Sequence, residues 1–486
     1  MSKLKAAVAS AWSAADILLR QVVQFVISLV LARLVSPTDF GLLALLTLFT
    51  RLSMVFVESG MSVALIRLPE TSIKLESSVF WFNLILACVC AACLALLSPY
   101  ASRFYQEPAL QPLMLAAAAQ VVVGSLGSVQ NALLVRGLRF RELLIVGALA
   151  TGMSGALGIL LARSGFGVWA LAWQSLAMTA TTTLGLWIVG GWRPRFSFDI
   201  HDVQSLFGFS GRLVVSSILD MTYSQGLVAI VGKLYGVAEL GFFNRGSGVQ
   251  SLVGGMLTSV ISRVTFPMFS TRTNDKAALR RGVGLALGAT MAINVPAMVG
   301  LSVLSDLVIS ALFGPSWGAS APILAVLAIS GILWPVHVIN LQLVLARGDS
   351  QTFLRLEVIK QFQGIITMVI GSYFGIMGLA WSQVASAIIA AFINAAPTQK
   401  SLDYGFPAQM IDLSRIFIVA AGMGGVLICL RDLLPTYSSS PLRLIVLIFA
   451  GGSFYIGAAL LLRISVVMEI LAILRTMLTK RNGALT

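Results

Sequence analysis

The sequence predicts an all-α polytopic membrane protein. About fourteen transmembrane helices form two pseudo-symmetric six-helix bundles around a central cavity, with two further C-terminal helices. Three observations carry this. Of 486 residues 58% are hydrophobic and 11% charged, against about 25% charged in an average soluble domain, and the mean hydropathy is +0.92. Apolar stretches of about 20 residues, enough to cross the hydrocarbon of a bilayer, recur from Ala11 to Arg463. The residues that punctuate these stretches repeat between the first and second halves of the chain.

Charges, Gly and Pro divide the apolar sequence into spans at 11–34, 40–66, 77–98, 110–135, 143–162, 168–190, 207–232, 241–269, 282–305, 321–346, 356–374, 378–397, 413–434 and 442–462. With a cytoplasmic N-terminus, the inner loops collect twenty-two Lys and Arg. The outer side holds seven: Arg33, Arg103, Arg163, Lys233, Arg245, Arg431 and Arg443. The positive-inside rule therefore places both termini in the cytoplasm, and the net charge of +14 reads as topology rather than as a nucleic-acid surface. The first span carries Asp16, Arg20, Gln21 and Gln24 with no small-residue cleavage site after it, so it reads as a membrane helix and not a signal peptide. Cys88, Cys90, Cys93 and Cys429 lie inside apolar runs and are expected to be buried, inert thiols with no disulfide framework.

Apolar sequence aligns with itself too easily, so the duplication rests on punctuating residues. Arg33-Leu34, Asp39 and Gly41 match Lys233-Leu234, Glu239 and Gly241 at an offset of 200; Pro112 matches Pro322 at 210; Arg136-Gly137 matches Arg347-Gly348 at 211. Phe166-Gly167 with Leu171-Ala172-Trp173 matches Phe374-Gly375 with Leu379-Ala380-Trp381 at 208. Each half holds an even number of spans, so the halves share an orientation and are related by an axis along the membrane normal. The expected domains are an N-terminal lobe at 1–200, a C-terminal lobe at 201–400, and helices 13 and 14 with a basic amphipathic cytoplasmic tail at 401–486. Two such bundles enclose a cavity whose access alternates as one rocks against the other.

Ionisable residues inside the membrane are costly unless paired or wet, which makes them the functional candidates. Arg20 and Arg51 fall near mid-membrane, Arg20 ~14 Å from the inner end of its span at ~1.5 Å per residue. Arg212 and Arg263 fall nearer the cytoplasmic side. All four lie in the first two spans of a half and are the expected substrate-binding residues, because guanidinium pairs bidentately with an anionic phosphate. Asp220, Asp16 and Glu58 are the expected ion-coupling acids, and as counter-ions to those arginines they are equally well explained. Asp16 and Arg20 stand four residues apart and can neutralise each other, and Arg212 and Arg263 can snorkel.

The glycines of spans eight and thirteen read as close-packing positions. Pro267, Pro296 and Pro335 read as kinks, Phe104-Tyr105 and Trp317 as interfacial anchors, and His337 as a hydrogen-bonded residue of the bundle. With His201 and His337 the only histidines, no catalytic residue and no metal site are expected, and no cofactor. The sequence has no G-x-x-x-x-G-K-[ST] loop for nucleotide hydrolysis.

Three segments carry a family resemblance: Leu31-Ala32-Arg33-Leu34-Val35-Ser36-Pro37-Thr38-Asp39-Phe40-Gly41-Leu42, Arg263-Val264-Thr265-Phe266-Pro267-Met268-Phe269 and Leu312-Phe313-Gly314-Pro315-Ser316-Trp317. They resemble the polysaccharide transporters of the multidrug/oligosaccharidyl-lipid/polysaccharide exporter superfamily, Wzx-type flippases of the colanic-acid and xanthan kind. The resemblance implies a V-shaped pair of six-helix lobes in a bacterial inner membrane. It implies transfer of an undecaprenyl-pyrophosphate-linked oligosaccharide from the cytoplasmic to the periplasmic leaflet, for exopolysaccharide or O-antigen-type polymer synthesis. Proton or sodium coupling and cationic residues meeting the pyrophosphate are implied too, with polymerase and export components as further partners besides membrane lipids. The two extra helices are similar to those that form a lipid-tail groove in lipid II flippases. A drug/cation antiporter of the same superfamily would instead need a cavity rich in acids or aromatics. A membrane-embedded glycosyltransferase or polymer ligase would need a large outer loop, and none exceeds roughly 15 residues.

The topology makes a direct prediction: a reporter fused after Arg141 scores cytoplasmic and one fused after Arg163 periplasmic. The opposite result at either fusion contradicts the assignment.

Overall fold

The computed structural model describes residues 3–58, 61–68, 71–270, 275–433, 440–464 and 468. Among them there is helix and no strand. The first helices are α1 (Lys3–Leu34), α2 (Pro37–Glu58), α3 (Met61–Arg67), α4 (Ile73–Tyr105), α5 (Leu110–Ser125), α6 (Ser128–Arg136), α7 (Phe140–Arg163), α8 (Val168–Gly190) and α9 (Ile200–Leu234). They continue as α10 (Val237–Ser270), α11 (Lys276–Val303), α12 (Ser305–Phe313), α13 (Ser320–Gly331), α14 (Trp334–Ala346), α15 (Ser350–Ser372), α16 (Gly375–Leu402), α17 (Phe406–Leu433) and α18 (Ser440–Leu461). Each expected span coincides with one helix or with a broken pair. Nine helical stretches among the described residues are long and apolar enough to cross a membrane. The chain forms two compact units, Met1–Gly241 and Phe242–Thr486.

In the first unit α7 packs between α1 and α8, α5 lies against α4 and α8, and α9 packs on α2, α3 and α4. The start of α2 is a capping box. Ser36 Oγ accepts from the Asp39 backbone N–H at 3.2 Å, while Asp39 Oδ2 accepts from the Ser36 backbone N–H at 3.3 Å and from Ser36 Oγ at 2.6 Å. The other oxygen, Asp39 Oδ1, accepts from Val168 N at 3.0 Å. One carboxylate thus caps two helices, α2 and α8. At the start of α9, Asp199 accepts from His201 N at 2.9 Å and from Lys74 Nζ at 2.6 Å. These bonds, Lys74's first, hold the Asp199 carboxyl below its ordinary range.

The duplication is visible in the backbone. Span four is broken into α5 and α6 and span ten into α13 and α14, at matching places. Pro335 has no N–H for the Gly331 carbonyl. Asn294 Nδ2 of α11 donates to Gly331 O at 3.0 Å and to Ile332 O at 2.9 Å. At the first-half break Trp187 Nε1 donates to Leu126 O at 2.8 Å and Thr183 Oγ1 to Val123 O at 3.1 Å. The positive-φ residues Gly167 and Gly375 open α8 and α16 alike. Within the first unit, a Cβ on Gly41 would run into the Val237 carbonyl, and one on Gly241 into the Pro37 carbonyl. Pro37 and Val237 stand 200 residues apart, as do Gly41 and Gly241. The starts of α2 and α10 therefore touch through a reciprocal backbone contact that repeats the offset found in the sequence.

In the second unit α16 packs on α13, α14 and α15, and α11 on α13, α14 and α17, with α18 against α17 and α12. Met291, Val295, Ile339, Leu343, Ala420 and Leu447 belong to its core. Buried Asn340 and Gln409 exchange two hydrogen bonds of 3.0 Å between α14 and α17.

Two expectations fail at side-chain level, and a third, close packing at the glycines of spans eight and thirteen, holds at Gly246 and Gly424 but not throughout. Cys88, Cys93 and Cys429 are exposed on helix surfaces, with Cys90 half-buried, because an apolar run places a residue in lipid as readily as in a core. Trp317 is fully buried, and Arg245 of α10 lies over its ring at 5.3 Å and over Phe313 at 5.2 Å. Trp317 is therefore a core residue gripping a cation, not an interfacial anchor. Of the glycines in α10, Gly246 touches Leu324, whereas Gly248 and Gly255 face open space. The basic tail at 468–481 lies outside the described residues apart from Met468.

The reciprocal contact is testable. Gly41→Ala should cost about 1–3 kcal/mol of overpacking and lower the unfolding temperature of the purified protein by several degrees. Gly152→Ala, which points into open space, should leave it unchanged.

Candidate functional site

On α9, Ser217, Met221, Ser224 and Gln225 recur at helical spacing on one face, and that face looks onto α2 at Arg51, Met54 and Val55. The seven residues line an open cavity of about 370 Å³. Arg51 is exposed in it. The wall is mixed: a guanidinium, two hydroxyls and an amide, with Met54, Val55 and Met221 as the apolar part. Ser224 Oγ donates to the Met221 carbonyl at 3.3 Å, which ties its hydroxyl back to α9. A guanidinium is a group that can pair bidentately with two oxygens of an anion.

Arg20 is placed differently. Its Nη2 donates to the Leu143 carbonyl of α7 at 2.6 Å, and its guanidinium lies over Gly147, where any Cβ would occupy the same space. The absent side chain at Gly147 is what lets the half-buried Arg20 reach the α7 backbone. Arg20 does not line the Arg51 cavity, so the two arginines that sequence reading groups together stand at separate points of the first unit. Asp16 belongs to α1, Glu58 to the end of α2, Arg212 and Asp220 to α9, and Arg263 to α10. Their side chains lie outside those described.

Sequence reading passed over the neutral residues Ser217, Ser224 and Gln225 because it searched for charges. Their spacing along α9 was the available signal. Lys360, within the span at 356–374, was not among the candidates either, and it is buried within α15. Lys360 Nζ donates to Glu357 Oε1 at 2.5 Å and lies 3.3 Å from His337 Nε2, while Asn394 Nδ2 is 2.7 Å from His337 Nδ1. His337 is thus part of a polar network of α14, α15 and α16. In the first unit buried Glu76 accepts from Thr71 Oγ1 at 2.5 Å and faces Arg136 at 3.9 Å, and Arg136 also bonds Thr71. Among the described residues no group of His, Cys, Asp and Glu is arranged to hold a metal ion.

This architecture defines a multi-pass membrane protein of a known transporter fold. The chain is similar to a structure of lipid II flippase MurJ in an inward closed conformation, with a TM-score of 0.77, 14% identity, and 93% of this chain and 98% of that chain covered. It is also similar to an inward-facing multidrug resistance MATE family transporter of the MOP superfamily, with a TM-score of 0.58, 16% identity, and 79% and 98% covered. Residues 30–322 match the family of polysaccharide biosynthesis proteins, and residues 239–448 match that of lipid II flippase MurJ. The chain belongs to the polysaccharide biosynthesis protein family. Among curated relatives, it is 27% identical to the succinoglycan biosynthesis transport protein ExoT of Rhizobium meliloti over 64% of this chain and 63% of that protein, so less than two thirds of that relative's length is spanned. It is 25% identical to the lipopolysaccharide biosynthesis protein WzxC of Escherichia coli over 76% of each chain. With the teichuronic acid biosynthesis protein TuaB of Bacillus subtilis it shares 22% identity over 85% of this chain and 86% of that protein.

The cavity should admit water-soluble reagents. In a background with the four cysteines replaced by serine, Ser224→Cys should react with a charged methanethiosulfonate an order of magnitude faster than Val231→Cys, which is fully buried. Equal rates would remove the cavity from the account.

Proposed function

We propose that the chain is a flippase that moves an undecaprenyl-pyrophosphate-linked oligosaccharide repeat unit from the cytoplasmic to the periplasmic leaflet of a bacterial inner membrane, for assembly of an extracellular polysaccharide. Both termini are cytoplasmic in this reading. The observation that carries it is a guanidinium, Arg51, exposed in a helix-lined cavity of a chain that belongs to the polysaccharide biosynthesis family. The relatives named for succinoglycan transport and lipopolysaccharide biosynthesis support the class of cargo. The fold supports alternating access between repeated halves. No catalytic step and no cofactor enter this reading. The drug antiporter alternative draws on fold alone, and an arginine in the cavity disfavours a cationic cargo.

Within this reading Arg51 meets the pyrophosphate, Arg20, held on α7 through Gly147, supplies positive charge at a separate point of the path, and Arg212 and Arg263 do so from the first two spans of the second half. Asp220 is the first candidate for proton or sodium coupling. It lies three residues after Ser217 and four before Ser224, a spacing that puts the three positions on one face of α9. Asp16 and Glu58 follow it.

In a polymer-export assay normalised for membrane protein, Arg51→Ala should abolish most function and Arg51→Lys retain part of it, because a point charge replaces only some of a bidentate contact. Full export by Arg51→Ala would overturn the assignment. Asp220→Asn should remove any response of transport to an imposed pH or sodium gradient while leaving substrate binding intact. A wild-type response would place coupling elsewhere or leave the cargo's own gradient as the drive.

A further inference from the structure

A second cavity, of about 750 Å³, lies entirely within the second unit, where the start of α11, the end of α14, the start of α15 and the end of α16 meet. Lys276, Arg347, Arg355 and Lys400 line it against one carboxylate, Asp349. All four cations are exposed, and among the described residues none of them forms a salt bridge. Asp349 is a single carboxylate against four cations, and it also caps α15 by accepting from Thr352 N at 3.0 Å. Those bonds to Thr352, and then the charges of Arg347 and Arg355, keep its carboxyl below the ordinary range. The excess of positive charge is therefore not neutralised inside the cavity. Thr398 also lines it, fully buried, with a hydroxyl that has no hydrogen-bond partner among the described residues.

The other part of the lining is apolar, and it continues outward. Ile359 is at once a cavity residue and the first of a row along α15, Ile359, Phe362, Ile366 and Val369, continued by Tyr373 just after its end, all exposed. Their alternating three- and four-residue spacing makes one continuous stripe. Fourteen residues of helix extend roughly 21 Å, more than the ~15 Å of one hydrocarbon leaflet. Cations at the end of a helix bundle with an apolar stripe leading away from them match one kind of molecule, a phosphate head on an acyl chain.

We propose that this cavity is a binding site for an anionic membrane phospholipid. Arg347 and Arg355 grip its phosphate, Lys276 and Lys400 surround it, and the α15 stripe receives an acyl chain. The site is separate from the Arg51 cavity and does not depend on what the protein transports. A lipid held there ties the loop between α14 and α15 to the ends of α11 and α16, and so links the membrane's charge to the packing of this unit.

The test uses the purified full-length protein in detergent, titrated with phosphatidylglycerol, phosphatidylcholine or inorganic phosphate, with the unfolding temperature as readout. Phosphatidylglycerol should stabilise the wild type saturably, at a half-saturating concentration about tenfold below that of phosphatidylcholine. Arg347→Gln/Arg355→Gln should raise that concentration about tenfold, and Arg347→Lys/Arg355→Lys should fall between, since charge without the bidentate fork is partly effective. Arg103→Gln/Arg163→Gln, with the same charge removed from the first unit, should behave as wild type. The proposal is overturned if the Gln and Lys pairs bind phosphatidylglycerol as wild type does, if the two lipids are indistinguishable, or if inorganic phosphate alone reproduces the stabilisation.

Discussion

A carbonyl or a charge inside a bilayer has no water to turn to, and the arrangement of this chain follows from that constraint. Where a helix is broken, a neighbour supplies the lost partner: Asn294 for Gly331 and Ile332, Trp187 and Thr183 for the α5–α6 break. Where two helices begin, one carboxylate serves both, as Asp39 does for α2 and α8. Where a charge lies within a span, the backbone is shaped to receive it, as Gly147 is for Arg20. Each unsatisfied group would cost several kcal/mol in hydrocarbon. These contacts are therefore conditions of insertion as much as sources of stability.

The same constraint explains the two glycines that open the halves. Gly41 and Gly241 let α2 and α10 approach until backbone meets backbone. Such contacts replace the hydrophobic drive that is missing between helices in lipid. The pairing of Gly41 with Val237 and of Gly241 with Pro37 is the duplication expressed as geometry. Two helix starts that lie 200 residues apart in the sequence pack on one another.

The fold was legible because its determinants are one-dimensional. Span length, breaks at Gly and Pro and the recurrence of Phe-Gly and Arg-Gly survive in a string of letters, and the all-α membrane class follows from them, whereas the family rests on the resemblance carried by three segments such as Leu312-Phe313-Gly314-Pro315-Ser316-Trp317. The side-chain environment was less legible, because an apolar helix has two kinds of apolar surroundings. Cys88 faces outward and its neighbour Ala87 inward in one apolar run. The candidate site was partly legible. Arg51 stood out as a charge at membrane depth, whereas Ser217, Ser224 and Gln225 become visible only once α9 is set against α2. Lys360 escaped because His337, which it meets, comes from another helix 23 residues away, and Asn394, which bonds His337 in turn, from a third.

The proposed function is that this chain moves a lipid-linked sugar from one leaflet to the other. It is tested most directly by reconstituting the purified protein into liposomes that carry an undecaprenyl-pyrophosphate-linked oligosaccharide, and following the sugar with an impermeant lectin or glycosidase outside. The account predicts that protein-dependent transfer exposes the inner-leaflet pool at a rate that Arg51→Ala largely abolishes. Liposomes in which wild-type protein leaves that pool as protected as protein-free controls do, under every imposed gradient, would contradict it.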